Sequence, residues 1–64
     1  MEEYQQRVWD ERKELEEKLC KLIDFINGEV FPNLLGIEQT LLKHQAEIMG
    51  KYARILSERI SIFR

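Results

Sequence analysis

Several aromatic and cationic side chains in this sequence could together hold a small phosphorylated ligand that contains a base. They are Tyr4, Arg7, Lys18, Tyr52 and Arg59. An aromatic ring can stack on a nucleobase, and an arginine or a lysine can pair with phosphate. These five side chains are therefore the predicted ligand-binding set, provided that the fold brings them together.

The sequence lacks the residue patterns that catalysis or metal binding requires. His44 has no serine, cysteine or aspartate at a spacing that suggests a catalytic triad. Cys20 and His44 are the only soft metal ligands, whereas structural zinc needs about four. No glycine-rich phosphate loop is present. We expect a surface or interface histidine, a small packing cysteine, and a protein that is not an enzyme and needs no cofactor.

The second half of the chain has the strongest helical pattern. Two apolar rows recur every seven residues: Leu41, Ile48, Ile55 and Ile62, and beside them Leu42, Met49, Leu56 and Phe63. On a helix these rows are adjacent, so they predict one broad apolar face. A third row, of Gln45, Tyr52 and Arg59, runs between them. Polar groups in the middle of such a face indicate a polar pocket at a subunit boundary.

The first half predicts another helix, from about residue 2 to residue 26. Its apolar stripe follows three-, four- and seven-residue spacings: Tyr4, Val8, Leu15, Leu19, Leu22 and Ile26. Asn27-Gly28 would end this helix, with glycine in the left-handed conformation of a C-cap. A connector over residues 27–36 would lead to a helix from about 37 to 63. We expect its apolar residues to cover the end of the helix pair: Val30, Phe31, Leu34 and Leu35.

The predicted fold is all-α, a single domain of residues 1–64 that forms an antiparallel two-helix hairpin. The start of the first helix would then lie beside the end of the second, so that Tyr4, Arg7 and Val8 approach Arg59 and Phe63. A chain of 64 residues is marginally stable alone, and one cysteine cannot form an internal disulfide. We therefore predict a helical homo-oligomer with these interface residues: Leu41, Gln45, Ile48, Ile55 and Ile62.

Composition narrows the range of partners. A net charge of −2 gives no basic excess for binding duplex DNA. The longest apolar runs are two or three residues, so neither a signal peptide nor a membrane span is predicted. One unpaired thiol fits a reducing compartment. We expect a cytoplasmic protein with no DNA-duplex and no membrane partner.

The combined pattern of both helices supports a family resemblance. The second helix reads Glu38-Gln39-x-Leu41-Leu42-x-x-Gln45-x-x-x-Met49-x-x-Tyr52-x-x-Ile55-Leu56-x-x-Arg59-Ile60. The first reads Tyr4-x-x-Arg7-Val8-x-x-Glu11-x-x-Leu15-x-x-Lys18-Leu19-x-x-Leu22-x-x-Phe25-Ile26. Together they resemble a family of short helical-hairpin proteins of bacteriophages, including crAss-like phages. The resemblance covers nearly the whole chain, although Leu35-Gly36-Ile37 stands where similar sequences usually have a proline and an acidic helix start.

This hairpin is similar to the helical unit of phage sponge proteins, which defeat the CBASS and Thoeris systems of antiviral signalling. The resemblance implies an oligomer, with a hexamer possible, in the cytoplasm of an infected bacterium. It also implies that the protein sequesters a cyclic nucleotide or ADP-ribose-derived messenger without cleaving it. Ligand pockets would lie between protomers, lined by aromatic and basic side chains.

The residues alone leave two alternatives open. Arg59 could pair with a structural carboxylate, such as Glu11 of a neighbouring chain, while backbone groups satisfy the tyrosine hydroxyls. The protein could also be a helical assembly or adaptor module that binds a protein partner. Small nucleotides would stabilise a sponge against heat and would not stabilise an adaptor.

Overall fold

The computed structural model describes residues 2–64, which form two long helices joined by one short helical turn. Helix α1 spans Glu3–Ile26 and helix α2 spans Gly36–Ser61, with a 3₁₀ turn at Phe31–Asn33 between them. No strand occurs in residues 2–64, so the predicted all-α class is confirmed. The helix ends differ by one or two residues from the predicted ranges, about 2–26 and about 37–63.

Hydrogen bonds at the two ends of α1 fix where it begins and stops. The Gln5 side-chain oxygen accepts a hydrogen bond of 3.0 Å from the Glu2 amide, which satisfies one free donor at the helix start. At the other end, the Asn27 amide donates to Ile23 and the Gly28 amide donates to Phe25. No glycine has a positive φ, so the predicted left-handed cap is wrong.

A glycine is favoured at position 28 for a different physical reason. A Cβ atom there would lie 3.3 Å from the carbonyl oxygens of both Asp24 and Phe25. This separation is tighter than ordinary van der Waals contact. The backbone therefore passes close to the last turn of α1 without a positive φ, and a residue without a side chain fits there best.

The connector covers the closed end of the hairpin with fewer side chains than expected. Phe31 is buried, and the Lys43 ammonium lies 5.7 Å from the centre of its ring. Leu34 is half-buried, whereas Val30 and Leu35 are exposed by 57% and 70%. The prediction for those two residues is wrong, because they flank the 3₁₀ turn as the N-cap residues of that turn and of α2 and do not lie over the helix pair.

The inner faces of the helices alternate three- and four-residue steps, which is the spacing of a coiled-coil seam. On α1 the inner face comprises Gln5, Val8, Arg12, Leu15, Leu19, Leu22 and Ile26. On α2 and just beyond it, the inner face comprises Leu42, Ala46, Met49, Ala53, Leu56, Ile60 and Phe63. Within residues 2–64, only Leu56 is fully buried. Gln5 and Arg12 thus occupy positions within the seam, whereas Tyr4 lies beside it with 57% of its surface exposed.

The broad apolar face predicted for the second helix divides into two faces about 100° apart. The row that begins at Leu42 faces α1. The row that begins at Leu41 is exposed, with relative exposures from 52% at Ile48 to 75% at Ile62. We call the exposed face the outer stripe of α2; it comprises Leu41, Gln45, Ile48, Tyr52, Ile55, Arg59 and Ile62.

The hairpin is elongated, with dimensions of 47 × 15 × 13 Å. Its radius of gyration is 14.7 Å, compared with about 11 Å for a compact domain of this length. Its accessible surface is 5232 Å², whereas a compact 7.7 kDa protein exposes about 4300 Å². One chain therefore leaves about 900 Å² more surface in water than its size requires. Within residues 2–64, no helix has the length and apolar character needed to cross a membrane.

Candidate functional site

The open end of the hairpin combines aromatic and cationic side chains in one groove. Tyr4 and Phe63 meet edge to face, with ring centroids 5.9 Å apart and planes at 80°. The groove beside them has a volume of about 430 Å³. We call it the end groove, and its lining residues are Glu2, Tyr4, Gln5, Arg59, Ile62, Phe63 and Arg64.

Local hydrogen bonds hold the two aromatic rings at this end. Gln5 is buried, and its side-chain nitrogen lies 3.5 Å from the Tyr4 hydroxyl, to which it donates. At the end of α2, the Ile62 amide donates to Arg59 and the Phe63 amide donates to Ile60, at 3.3 Å and 3.1 Å. These three-residue steps tighten the last turn. Phe63 therefore lies against Tyr4 instead of continuing along the helix.

The side chains that line the end groove include two cationic groups and one anionic group. They are the guanidiniums of Arg59 and Arg64 and the side-chain carboxylate of Glu2. Within residues 2–64, Arg59 makes no ion pair, although four other cationic side chains do. Its guanidinium can therefore present its donors to an anion, and planar bidentate pairing with phosphate suits that geometry.

The structure brings together two of the five predicted ligand-binding residues, Tyr4 and Arg59. The predicted approach of Tyr4 to Phe63 is confirmed. Arg7 instead makes a 2.7 Å ion pair with Glu3, one turn earlier on α1. Its side chain is 75% exposed and does not line the end groove with Arg59.

Lys18 and Tyr52 lie away from the end groove. Lys18 is exposed and lies outside the apolar stripe, because that stripe runs through Leu15 and Leu19. It lies about 21 Å along α1 from Tyr4, at 1.5 Å per residue. Tyr52 is 41% exposed and about 10 Å along α2 from Arg59. One hairpin cannot place all five side chains on one small ligand, so the ligand roles of the distant ones stay predictions.

Sequence reasoning missed Gln5 and Arg64 as members of the site. Gln5 could have been found, because it precedes Val8 by three residues and continues the alternating steps of the inner face. Arg64 gave no periodic signal, since it follows the end of α2. Arg59 also differs from expectation, because it is exposed in a single chain and burial alone does not require a charged partner.

Other polar features of the surface suit an anionic ligand less well than the end groove. A second groove of about 420 Å³ on α1 contains Trp9 and Arg12, whose guanidinium lies 5.4 Å from the ring centre. That guanidinium already pairs with Glu16 at 3.0 Å, so it is less available to an anion. Cys20 is exposed, which makes the prediction of a packing cysteine wrong for the single chain. His44 lies on the surface.

Comparison with known proteins places the chain in a family. No curated protein and no solved structure gives a significant match. A family model described as Sequestin matches residues 2–62, which include both helices and all of the end groove except Phe63 and Arg64. A match over nearly the whole chain shows that this protein belongs to the Sequestin family.

Proposed function

We propose that this protein binds and sequesters a small nucleotide-derived messenger of bacterial antiviral signalling without cleaving it. The end groove carries the proposal, because it places the Tyr4–Phe63 aromatic pair beside a guanidinium, Arg59, that has no ion pair within residues 2–64. Membership of a family named for sequestration supports the same function.

The dimensions and chemistry of the groove suit a nucleotide. A volume of about 430 Å³ falls within the range of small-molecule sites, about 300–1,000 Å³. Tyr4 keeps 57% of its surface exposed and can stack on a base. Arg59 and Arg64 can bind the phosphates. The proposed ligand is a cyclic nucleotide or an ADP-ribose-derived messenger of CBASS or Thoeris, and the proposed setting is a phage protein in the cytoplasm of its host.

Binding without chemistry is part of the proposal. The polar side chains of the groove are two guanidiniums, an amide, a carboxylate and a phenol. These groups can hold phosphate, base and ribose by hydrogen bonds. Hydrolysis or group transfer would use an activated nucleophile held against a base. The messenger would therefore be withdrawn from its receptor and released unchanged when the protein unfolds.

A thermal-shift panel of cyclic oligonucleotides and cyclic ADP-ribose isomers, followed by titration calorimetry, tests this function. We expect at least one messenger to raise the melting temperature, because a ligand that binds only the folded state stabilises it. Heating the complex and analysing the supernatant should recover the intact messenger. Binding to none of the panel would contradict the proposal for those ligands, and recovery of a cleaved product would contradict sequestration.

The alternative function is an adaptor that binds a protein partner. The observation that favours it is the outer stripe of α2, which exposes apolar side chains along the full length of the helix. Exposed apolar surface of this extent marks an interaction site. An adaptor would show no thermal shift with nucleotides, so the same panel separates the two functions.

A further inference from the structure

The exposed stripes of the two helices lie on the same side of the hairpin. Each residue of the outer stripe of α2 directly precedes an inner-face residue. The residues with the same relation on α1 are Tyr4, Arg7, Glu11, Glu14, Lys18, Lys21 and Phe25. A residue that directly precedes an inner-face residue lies about 100° around the helix from it. Because the helices are antiparallel, this rotation turns the stripes of both helices toward the same side of the hairpin. The end groove agrees, since Tyr4 lines it together with Arg59 and Ile62.

The two stripes on this shared side differ in chemistry. On α2 the stripe is mostly aliphatic. On α1 it is charged and ordered, with Glu11 and Glu14 followed by Lys18 and Lys21. Within residues 2–64, none of these four side chains makes an ion pair. An acidic segment followed by a basic one complements a second copy of itself that runs in the opposite direction.

We propose that two copies of this chain pack antiparallel through this shared side, about a two-fold axis, to form a four-helix bundle. The axis places Glu11 and Glu14 of one copy beside Lys21 and Lys18 of the other, and the outer stripes of α2 against each other. An axis parallel to the helices would instead place the charged stripe of α1 in one copy against the mostly aliphatic outer stripe of α2 in the other. Burying these glutamates and lysines against aliphatic side chains is unfavourable.

The same two-fold axis passes through the centre of the stripe on each helix, although the two stripes were defined independently. The charge pattern of α1 is centred midway between Glu11 and Lys21, at position 16. The outer stripe of α2 is centred between Leu41 and Ile62, near position 51. Tyr4 lies beside Phe63, and both helices rise equally per residue, so position 16 is level with position 51. The two centres therefore lie at the same height along the hairpin.

The exposed area also matches what such an interface needs. The hairpin has about 900 Å² of surface beyond that of a compact protein of its mass. A standard stable interface buries about 800 Å² on each partner. The angle of about 100° between the inner face and the outer stripe is close to the right angle at which a helix in a square four-helix arrangement meets two neighbours.

The same axis would complete the end groove. Ile62 would lie level with Leu41 of the second copy, and Arg59 would lie level with His44, one residue before Gln45. Each groove would thus gain an aliphatic wall and the amide of Gln45 from the other chain. The dimer would contain two equivalent grooves, one at each end of the bundle. The dimer itself does not depend on the proposed ligand.

Charge reversal in solution tests the pairing, with mass measured by sedimentation equilibrium. The variant E11K/E14K should weaken self-association at least tenfold, because it places lysines beside lysines. The variant E11K/E14K/K18E/K21E restores opposite charges and the net charge of the parent, so it should restore association. As a matched control, E17K/D24K makes the same charge change at exposed positions of α1 outside the stripe and should associate like the parent.

Disulfide trapping in a C20S background tests the direction of packing. Tyr52→Cys lies next to the proposed axis, so mild oxidation should give a covalent dimer. Arg59→Cys should not, because its two copies would be about 22 Å apart. Equal trapping at the two positions would indicate an axis parallel to the helices and overturn the proposal. A monomeric parent at 100 micromolar, or a quadruple variant that does not regain association, would also overturn it.

Discussion

Arg59 is the residue on which the ligand hypothesis depends most. It lies exposed beside the Tyr4–Phe63 pair and has no ion pair within residues 2–64. Two partners suit a guanidinium at this place, the phosphate of a ligand or a carboxylate of another chain such as Glu11. Because Arg59 is exposed in a single chain, burial gives no reason to expect a charged partner. Its position in the end groove does give a reason to expect a bound anion.

Replacing Arg59 by alanine should abolish or greatly weaken messenger binding while assembly survives. Loss of a charge-assisted bidentate contact typically costs a few kcal/mol, which is a roughly hundredfold loss of affinity. Titration calorimetry beside a mass measurement checks both parts. Arg54→Ala is the matched control, because Arg54 lies on the same helix and pairs outward with Glu58.

The other outcomes of the Arg59 test are equally specific. Weakened assembly in the alanine variant would indicate a structural carboxylate, and Arg59→Met would then be tolerated, since apolar replacements of buried ion pairs often are. Intact assembly with undiminished nucleotide binding would remove Arg59 from the site.

Tyr4→Ala should weaken binding through loss of stacking rather than of charge. Stacking on an aromatic side chain contributes about 1–3 kcal/mol per base. Tyr4→Phe keeps the ring and removes only the hydroxyl that accepts from Gln5, so it should retain most of the affinity. Equal loss in both variants, measured by calorimetry, would show that the hydroxyl matters and the ring does not.

At the scale of single residues, the sequence predicted the groove in part. Tyr4 and Arg59 came together because antiparallel helices of similar length place the start of one beside the end of the other. Arg7 did not join them, because Glu3 lies one turn before it and an ion pair at that spacing directs the side chain outward. Competition from a neighbour on the same helix cannot be read from a periodic pattern alone.

At the scale of the helices, the seam rests on very few buried side chains. Leu56 is fully buried, whereas Leu22 is half-buried. Leu56→Ala should therefore cost about 2–5 kcal/mol in the free energy of unfolding. Leu22→Ala should cost less, because its environment is already partly solvent. Urea unfolding at one fixed protein concentration measures the order, and a larger loss at Leu22 would mean that the inner faces are wrongly assigned.

The glycines give a contrasting prediction for helix stability. A Cβ atom on Gly50 would meet nothing within 4 Å, whereas on Gly28 it would crowd two carbonyl oxygens. Gly50→Ala should therefore stabilise α2 by about 0.5–1 kcal/mol. Gly28→Ala should gain less or lose stability. Thermal unfolding followed by circular dichroism checks both, and destabilisation by Gly50→Ala would indicate that another chain approaches closely at that position.

The helices were the part of the fold most predictable from sequence, because the three- and four-residue spacings extend over more than twenty residues in each. Their ends and the connector were less predictable. Asn27-Gly28 ends α1 as expected, but in a turn that leaves little room for a Cβ at Gly28 and has no left-handed cap. Leu35 is apolar yet exposed at the N-cap of α2, whereas Phe31 in the 3₁₀ turn is buried. Local geometry of this kind follows from contacts, which periodicity does not encode.

At the scale of the whole molecule, the predicted single apolar face of α2 became two faces with different neighbours. The sequence alone could not separate the two faces, since adjacent heptad rows form one wide apolar face on an isolated helix. They become distinct when α1 packs against one of the rows. The division explains why the chain is elongated and why so little of it is buried. Self-association is therefore expected through a particular surface, the outer stripe of α2, and not only because the chain is short.

The stability of the protein should depend on its concentration. Val8, Phe31 and Leu56 are the only apolar side chains within residues 2–64 that are buried, so one hairpin has little core of its own. If assembly supplies the rest, mass action raises the melting temperature as the protein is concentrated. Circular dichroism melts over a hundredfold range of concentration should show this rise. A constant melting temperature together with a monomeric mass would contradict it.

Ile48→Asp should abolish this dependence together with the assembly. Ile48 lies near the centre of the outer stripe and is 52% exposed in one chain, so an aspartate there is solvated as long as the chain stays alone. Packing against a second copy would bury the carboxylate without a partner, which costs several kcal/mol. The variant should therefore be monomeric and largely unfolded at concentrations where Ile48→Val, which keeps the apolar surface, still assembles. A folded Ile48→Asp oligomer of unchanged mass would show that the outer stripe is not the interface, and attention would move to the opposite side of α1, where Trp9 and Ile23 are also exposed.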